Sequence, residues 1–289
     1  MSEPAYLAID WGSTNRRTFV VSAGGEVLDE RRDNCGIKAL QRNAYPESVA
    51  ALRRAFGQLP VLAAGMVGSA NGWVEAPYVS APAGLKDLAA ALREAEGGVR
   101  IVPGVCAAPD QPADVMRGEE ITLLGAVVAG LIPPAAQVLK PGTHSKFATL
   151  AAGRIASFRT AMTGEVFALL KEHSLLAAML QADIADGPAF REGVREGRDR
   201  DLLSALFGVR ASVLLGRRSA ADGAAFASGL LIGDELGARP ISGKVHLLAA
   251  SPQRELYGAA LAELGHQAMP IDADAAFLAG IHQLWTMTQ

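Results

Sequence analysis

The sequence predicts an α/β fold made of two related domains. Three observations carry this: a three-stranded antiparallel pattern opens the chain, the same pattern returns near its middle, and the C-terminus alternates strand, helix, strand, helix. In the first copy Tyr6–Ile9 reads as a strand, Gly12-Ser13-Thr14-Asn15 as a tight turn, and Thr18–Val21 as a second strand. Gly24-Gly25 turns again into Glu26–Asp29. In the second copy the strands are Gln137–Leu139, Lys146–Leu150 and Ile155–Phe158, with turns at Pro141–Ser145 and Ala152-Gly153. The two turns lie 12 residues apart in the first copy and 11 in the second, counted from Gly12 to Gly24 and from Gly142 to Gly153.

Helical patterns fill the space between the copies at Glu47–Phe56, Gly84–Glu96 and Glu119–Leu131. In the last, Ile121, Leu124, Gly125, Val128 and Leu131 share one face. A helix-rich stretch runs from about Gly164 to Leu236, with its most flexible loop expected around Asp183–Pro188. The finish is strand Lys244–Ala249, helix Gln253–Leu264, strand Gln267–Ile271 and helix Ala273–Leu284, the usual basis of parallel pairing. A boundary near Pro134 divides the chain into domains 1–134 and 135–289, with no Ser- or Pro-rich linker.

Composition narrows the function. With 289 residues, half of them hydrophobic, the chain can bury a substantial core and is not disordered. Its 27 basic and 30 acidic residues leave a net charge of −3, so no broad attraction to nucleic acid or anionic lipid is expected. Two cysteines, Cys35 and Cys106, are too few to staple such a chain and suit a reduced, cytoplasmic setting. The opening Met-Ser-Glu-Pro and the short run Ala5–Ile9 lack the basic start and long apolar core of a signal peptide. The uncharged stretches Ala55–Val74 and Ile121–Leu139 are broken by Pro60 and by Pro133-Pro134, so neither reads as a membrane span. The oligomeric state stays open, with a homodimer among the options.

The first turn sets Asp10 at a strand end before Gly12, Ser13, Thr14 and Asn15. Such a turn can aim several backbone N–H groups at one point and bind phosphate, and an adjacent aspartate can hold Mg²⁺ directly or through water. It can equally be an ordinary Asx turn. The second turn offers Gly142, Thr143, His144, Ser145 and Lys146 at the equivalent place. Two such hairpins would grip the β- and γ-phosphates of a nucleotide.

Here the sequence resembles a family. The duplicated hairpin is the plan of the sugar kinase, heat-shock ATPase and actin superfamily, and within it the chain is similar to the 2-dehydro-3-deoxygalactonokinases. The likeness is carried by Ile9–Asn15 with Arg17, by Ala64–Ser69 with Gly72-Trp73 and Ala76-Pro77-Tyr78, and by Pro103-Gly104. Val115–Glu120, Pro141–His144, Phe158–Thr160 and Met162–Glu165 complete it. These segments span the chain, and their combination is specific, although the first turn alone is shared across the superfamily. The resemblance implies two ribonuclease-H-like domains in an actin-like ATPase fold, with an interdomain nucleotide cleft. It implies ATP-dependent phosphorylation of the 6-hydroxyl of 2-dehydro-3-deoxy-D-galactonate in galactonate breakdown, with ATP and Mg²⁺ required.

Glu119 and Glu120 open a helix, where the macrodipole alone favours them. One of them can also act as base or metal-shell ligand, with Asp10 as the rival. Neighbouring Arg117 suits a sugar-acid carboxylate. Met66, Gly68, Ser69, Trp73 and Tyr78 form a candidate sugar pocket with Arg17, and the two aromatics supply either an apolar face for the sugar or plain packing. Arg159 and Glu165 face the cleft or pair with each other. Superfamily kinases often carry two glycines near the adenine; here Ala249 and Ala250 stand there, and Ser251 could bind ribose or phosphate. Two other classes stay open, an exopolyphosphatase-like hydrolase suggested by Gly118-Glu119-Glu120 and a non-catalytic nucleotide-binding module. A kinase of a related keto-deoxy sugar acid is a further option.

Overall fold

The computed structural model describes residues 2–199 and 201–289. The first sheet is built from β1 (Pro4–Trp11), β2 (Arg16–Ser22) and β3 (Val27–Asp33), which pair antiparallel as the expected meander. Helix α1 (Tyr45–Phe56) follows, with Pro46 in its first turn, Gly57 ending it at φ +102°, and Tyr45, Val49 and Leu52 buried along one face. Strand β4 (Val61–Gly65) is buried at every residue and pairs parallel with β1. Within the stretch read from sequence as a broken apolar run there is therefore a central strand, and its uniform hydrophobicity is what burial on both faces requires.

Strand β5 (Tyr78–Ser80) joins a small sheet described below. Helix α2 (Leu85–Ala90) is shorter than the helix expected over Gly84–Glu96. Gly97 and Gly98 both adopt positive φ, the geometry of a tight hairpin turn, and this lets β6 (Arg93–Ala95) fold back on β7 (Val99–Ile101). Hairpin pairing there overrides the helical period. Strands β8 (Gly104–Cys106) and β9 (Val115–Met116) complete the small sheet, in the order β5-β8-β9, and α3 (Glu119–Val128) follows. The main sheet has the order β3-β2-β1-β4-β7-β6.

The second meander comprises β10 (Ala136–Lys140), β11 (Ser145–Ala151) and β12 (Arg154–Ala161). Four helices follow: α4 (Thr163–His173), α5 (Pro188–Arg198), α6 (Leu202–Leu214) and α7 (Ala220–Gly237). The chain ends with β13 (Lys244–Leu247), α8 (Gln253–Glu263), β14 (Gln267–Pro270) and α9 (Ala273–Thr286). The second sheet has the order β12-β11-β10-β13-β14, with β13 parallel to both β10 and β14. Both sheets thus place an antiparallel meander beside parallel strands in the same order, which is the duplication the repeated turns predict.

Two compact units result. One consists of Met1–Ala135, Leu150–Ser157 and Ala273–Gln289, the other of Ala136–Thr149 and Phe158–Asp272. A single cut at residue 134 does not describe them, because tertiary packing returns two later segments to the first unit. Ile155 bridges Ala83, and Arg154 pairs with Asp87 at 3.0 Å. Helix α9 stacks Trp285 on Tyr6 at 4.3 Å and lies backbone to backbone against α3. That approach depends on Gly125 and Gly280, where a Cβ would overlap Ala276 O and Ile121 O. In the second unit α5 and α7 meet through a similar seam of Gly193, Gly229 and Gly233. Among the described residues no helix is long and apolar enough to cross a membrane.

Candidate functional site

Three backbone segments meet at the carboxyl end of the first unit's parallel strands. Asp10 and Trp11 are in register with Ala64 and Gly65. Gly65 holds φ +99°, and a Cβ on it would lie 2.8 Å from Trp11 O. Gly118, at φ +105°, backs onto Gly65 so closely that its Cβ would lie 3.2 Å from Gly65 Cα. Only glycine combines positive φ with this approach. The result is that the Asp10 strand end and the start of α3, with Glu119 and Glu120, are fixed beside each other. Open α/β sheets bind ligands outside such strand ends.

Asp10 accepts from Arg17 at 2.8 Å, and the other arm of Arg17 bonds Asp274, in the first turn of α9. Burial disfavours the Arg17 charge, but the two carboxylates outweigh it and hold its pKa above the usual range. Arg17, expected to bind substrate, is instead committed to positioning Asp10. The adjoining turn is braced from behind: Gly36, Ile37 and Lys38 donate their N–H groups to the carbonyls of Thr14, Gly12 and Ser13, each at 3.0 Å. Ser13, Thr14 and Asn15 are half-buried or exposed.

The expected sugar residues largely converge. Arg117 is 8% exposed, donates to Ala76 O at 2.8 Å and lies 4.3 Å over the Tyr78 ring. Its Nε and Nη1 are buried, and among the described residues neither has a hydrogen-bond partner. The hydroxyl of Ser69 is in the same condition. Gly68 keeps the space open, since a Cβ there would lie 3.0 Å from Arg117 Nη1. Tyr78 stays 42% exposed, and its ring fits because position 104 is glycine, whose Cβ would lie 2.6 Å from Tyr78 Cε1. Met66 is half-buried in the one-turn helix Met66–Gly68. Arg42, which the sequence did not single out, donates to Ala70 O at 2.7 Å and Gly72 O at 3.3 Å and so clasps this loop. Trp73 departs from expectation. It is 6% exposed and stacked on Tyr45 at 5.6 Å inside the core, leaving no face for a sugar.

The two glutamates separate in role. Glu119 is half-buried and accepts from the Arg117 N–H at 3.1 Å. Glu120 is fully buried and accepts from the Gly118 N–H at 2.6 Å. Burial, aided by the charge of Glu119, pushes its pKa up to about 8. It therefore keeps its proton at neutral pH, and a carboxyl so enclosed is poorly placed to take a proton from a substrate hydroxyl.

In the second unit the start of α4 packs on the second turn. A Cβ on Gly164 would lie 2.5 Å from Gly142 O, the Glu165 N–H bonds Thr143 O at 3.0 Å, and Glu165 meets His144 at 2.6 Å. His144, not Arg159, is thus the partner of Glu165, and Arg159 lies exposed on β12. Thr143 and His144 are exposed, but Ser145 is fully buried and donates to Glu235 at 2.6 Å, so its hydroxyl is not offered to a phosphate. Lys146, expected to add positive charge at this turn, is 5% exposed.

Beside the turn lies a cavity of about 210 Å³, lined by Gly142, Thr163, Gly164, Phe167, Leu256 and Tyr257 among others. Its walls are mainly apolar side chains with small residues at the turn, which suits a flat heteroaromatic base. Most of these residues escaped sequence reasoning, because helices far apart in the chain supply them. Ala249 is partly buried against the core, and the Ser251 hydroxyl bonds Glu255 in the helix that follows it, so neither lines the cavity. Among the described residues no group of three or more His, Cys, Asp or Glu could enclose a metal ion. Asp10, with its side chain 31% exposed, fits an ion that keeps most of its own water.

Comparison with known proteins agrees with this geometry. A Rhizobium meliloti (strain 1021) protein described as a probable 2-dehydro-3-deoxygalactonokinase is 38% identical, over 96% of this chain and 95% of its own length. The 2-dehydro-3-deoxygalactonokinase of Escherichia coli (strain K12) is 36% identical, over 96% and 97%. A crystal structure from Sinorhizobium meliloti ascribed to the same kinase superposes with a TM-score of 0.88, covering 98% of each chain at 35% identity. The fold is also that of the Clostridium difficile activator of 2-hydroxyisocaproyl-CoA dehydratase, at 12% identity, TM-score 0.53 and coverage of 98% and 95%. The fold is therefore that of the Sinorhizobium meliloti structure, and that activator shares it. With the family description 2-keto-3-deoxy-galactonokinase matching residues 10–284, the chain belongs to that family.

Proposed function

We propose that this protein is a kinase that transfers the γ-phosphate of ATP to the 6-hydroxyl of 2-dehydro-3-deoxy-D-galactonate, a cytoplasmic step in galactonate breakdown. The observation that carries the substrate is Arg117: a buried guanidinium with two nitrogens that have no hydrogen-bond partner among the described residues. Buried donors without partners are costly, and a planar carboxylate satisfies a guanidinium through two parallel bonds. The exposed face of Tyr78 then takes the C–H surface of the sugar.

In this reading the base of ATP occupies the cavity beside Gly142 and Gly164. In the second unit the backbone N–H groups of Gly142–His144 hold its phosphates; in the first, those of Gly12–Asn15 are suited to phosphate in the same way. Asp10 would hold the Mg²⁺ of the nucleotide through water, and that ion would neutralise charge on the phosphates as the bond to the leaving group breaks. Arg17 and Asp274 keep Asp10 in place. Glu119 or Asp10 accepts the proton of the 6-hydroxyl, while positioning and charge neutralisation contribute most of the rate.

A coupled ADP-release assay across a panel of keto-deoxy sugar acids tests the proposal. ADP release that depends on 2-dehydro-3-deoxy-D-galactonate is expected. Equal release without any sugar acid would indicate a phosphoanhydride hydrolase, and preference for another acid would reassign the substrate.

A further inference from the structure

Glu235 of α7 is 4% exposed and accepts hydrogen bonds from three hydroxyls: Ser145 at 2.6 Å, Thr163 at 2.5 Å and Tyr257 at 2.8 Å. The donors belong to three different elements. Ser145 begins β11 directly after the phosphate turn, Thr163 begins α4, and Tyr257 lies in α8. Thr163 and Tyr257 also line the cavity, as do Gly142 and Gly164, but Glu235 stands behind that lining and not in it. Burial and the adjacent carboxylate drive the Tyr257 hydroxyl well above its usual pKa, so it remains a donor at any pH the protein meets.

For stability alone this arrangement is poor. A buried carboxylate is expensive unless fully hydrogen-bonded, and an apolar residue of similar size is often neutral or better. What the carboxylate adds is geometry, because one group fixes the relative positions of a turn, a helix start and a cavity wall. We propose that Glu235 is a positioning residue for the nucleotide, setting the distance between the turn that holds the phosphates and the cavity that holds the base. The inference rests on the placement of ATP given above. Without Glu235 the three hydroxyls lose their common acceptor, and the turn and the cavity wall shift independently.

Titration calorimetry with a nonhydrolysable ATP analogue, without sugar acid, tests this on wild type and Glu235→Gln, whose amide oxygen cannot take all three donors. The dissociation constant should rise at least tenfold in the variant, and steady-state assays should show a raised KM for ATP with the KM for the sugar acid within twofold. Tyr257→Phe and Thr163→Val each remove one donor and should raise the constant at least threefold; they carry the test if Glu235→Gln fails to fold. Unchanged analogue affinity in folded variants, even with a lowered Tm, would overturn the inference. So would equal rises in both KM values. A wild-type protein that binds no analogue would overturn instead the placement of the nucleotide.

Discussion

Arg117 places its guanidinium 4.3 Å above the ring of Tyr78, while two of its buried nitrogens have no hydrogen-bond partner among the described residues. The ring holds the cation flat, and the backbone oxygen of Ala76 fixes its remaining arm at 2.8 Å. Such preorganisation lowers what a carboxylate ligand must lose on binding. Arg117→Ala should therefore raise the KM for the sugar acid by about 10- to 100-fold, the loss of one or two charge-assisted hydrogen bonds. The KM for ATP should stay within twofold. Arg117→Lys should recover little, because an ammonium cannot present two parallel donors. An unchanged sugar-acid KM in Arg117→Ala would remove Arg117 from the carboxylate site.

If Asp10 holds the metal of the nucleotide as proposed, its loss should affect turnover more than sugar binding. Asp10→Asn keeps the shape but removes the charge facing the nucleotide, and kcat should fall by about 10²–10³, typical of losing one preorganised electrostatic group. The sugar-acid KM should change less than threefold. Asp274→Asn, which weakens only the far anchor of Arg17, should give a smaller loss of kcat in the same direction. Comparable losses in kcat and sugar affinity for Asp10→Asn would contradict its assignment.

Glu120 gives a pH signature. In the folded protein its pKa is about 8, whereas the unfolded chain releases this proton near 4.5. Between these values the unfolded state binds fewer protons, so this group's contribution to stability is fully present below pH 4.5 and is lost as pH rises through about 8. Glu120→Gln keeps an acceptor for the Gly118 N–H and has nothing to ionise. The Tm of the variant, measured relative to wild type, should therefore rise steadily between about pH 5 and pH 9. A difference that does not vary with pH would mean that Glu120 is not held protonated.

The glycine seam between α3 and α9 sets the stability of the first unit. Gly125→Ala drives a Cβ into Ala276 O and should lower stability by about 1–3 kcal/mol, shifting Tm down by about 2–4 °C per kcal/mol. Gly208→Ala is the control. Nothing lies within 4 Å of a Cβ there, and replacing glycine in a helix should stabilise by about 0.5–1 kcal/mol. Thermal melts of the two variants should move in opposite directions.

The fold was legible where local chemistry decides it. Both meanders, their glycine turns and the alternating finish stand in the sequence because their turns carry glycine and their strands are short and apolar. Helix α2 was overestimated because Ala89 to Ala91 continues a helical pattern that only the Gly97-Gly98 hairpin interrupts. Arg117 and Tyr78 were each singled out from the sequence, and the fold sets the guanidinium over the ring. The place of Trp73 was not legible, since a tryptophan facing Tyr45 in the core looks the same in sequence as one facing a sugar. Nor could the links from Arg17 to Asp274 and from Ser145 to Glu235 be read, because the partners are separated by 257 and 90 residues and only the folded chain brings them together.

The central claim of the proposal is that the turn at Gly142–His144 and the cavity beside it take one nucleotide. A crystal structure with a nonhydrolysable ATP analogue tests it most directly. The base should fill the cavity beside Gly164, Phe167 and Tyr257, with the phosphates bonded by backbone N–H groups of Gly142–His144. A triphosphate bound elsewhere, or not held by that turn, would contradict the account.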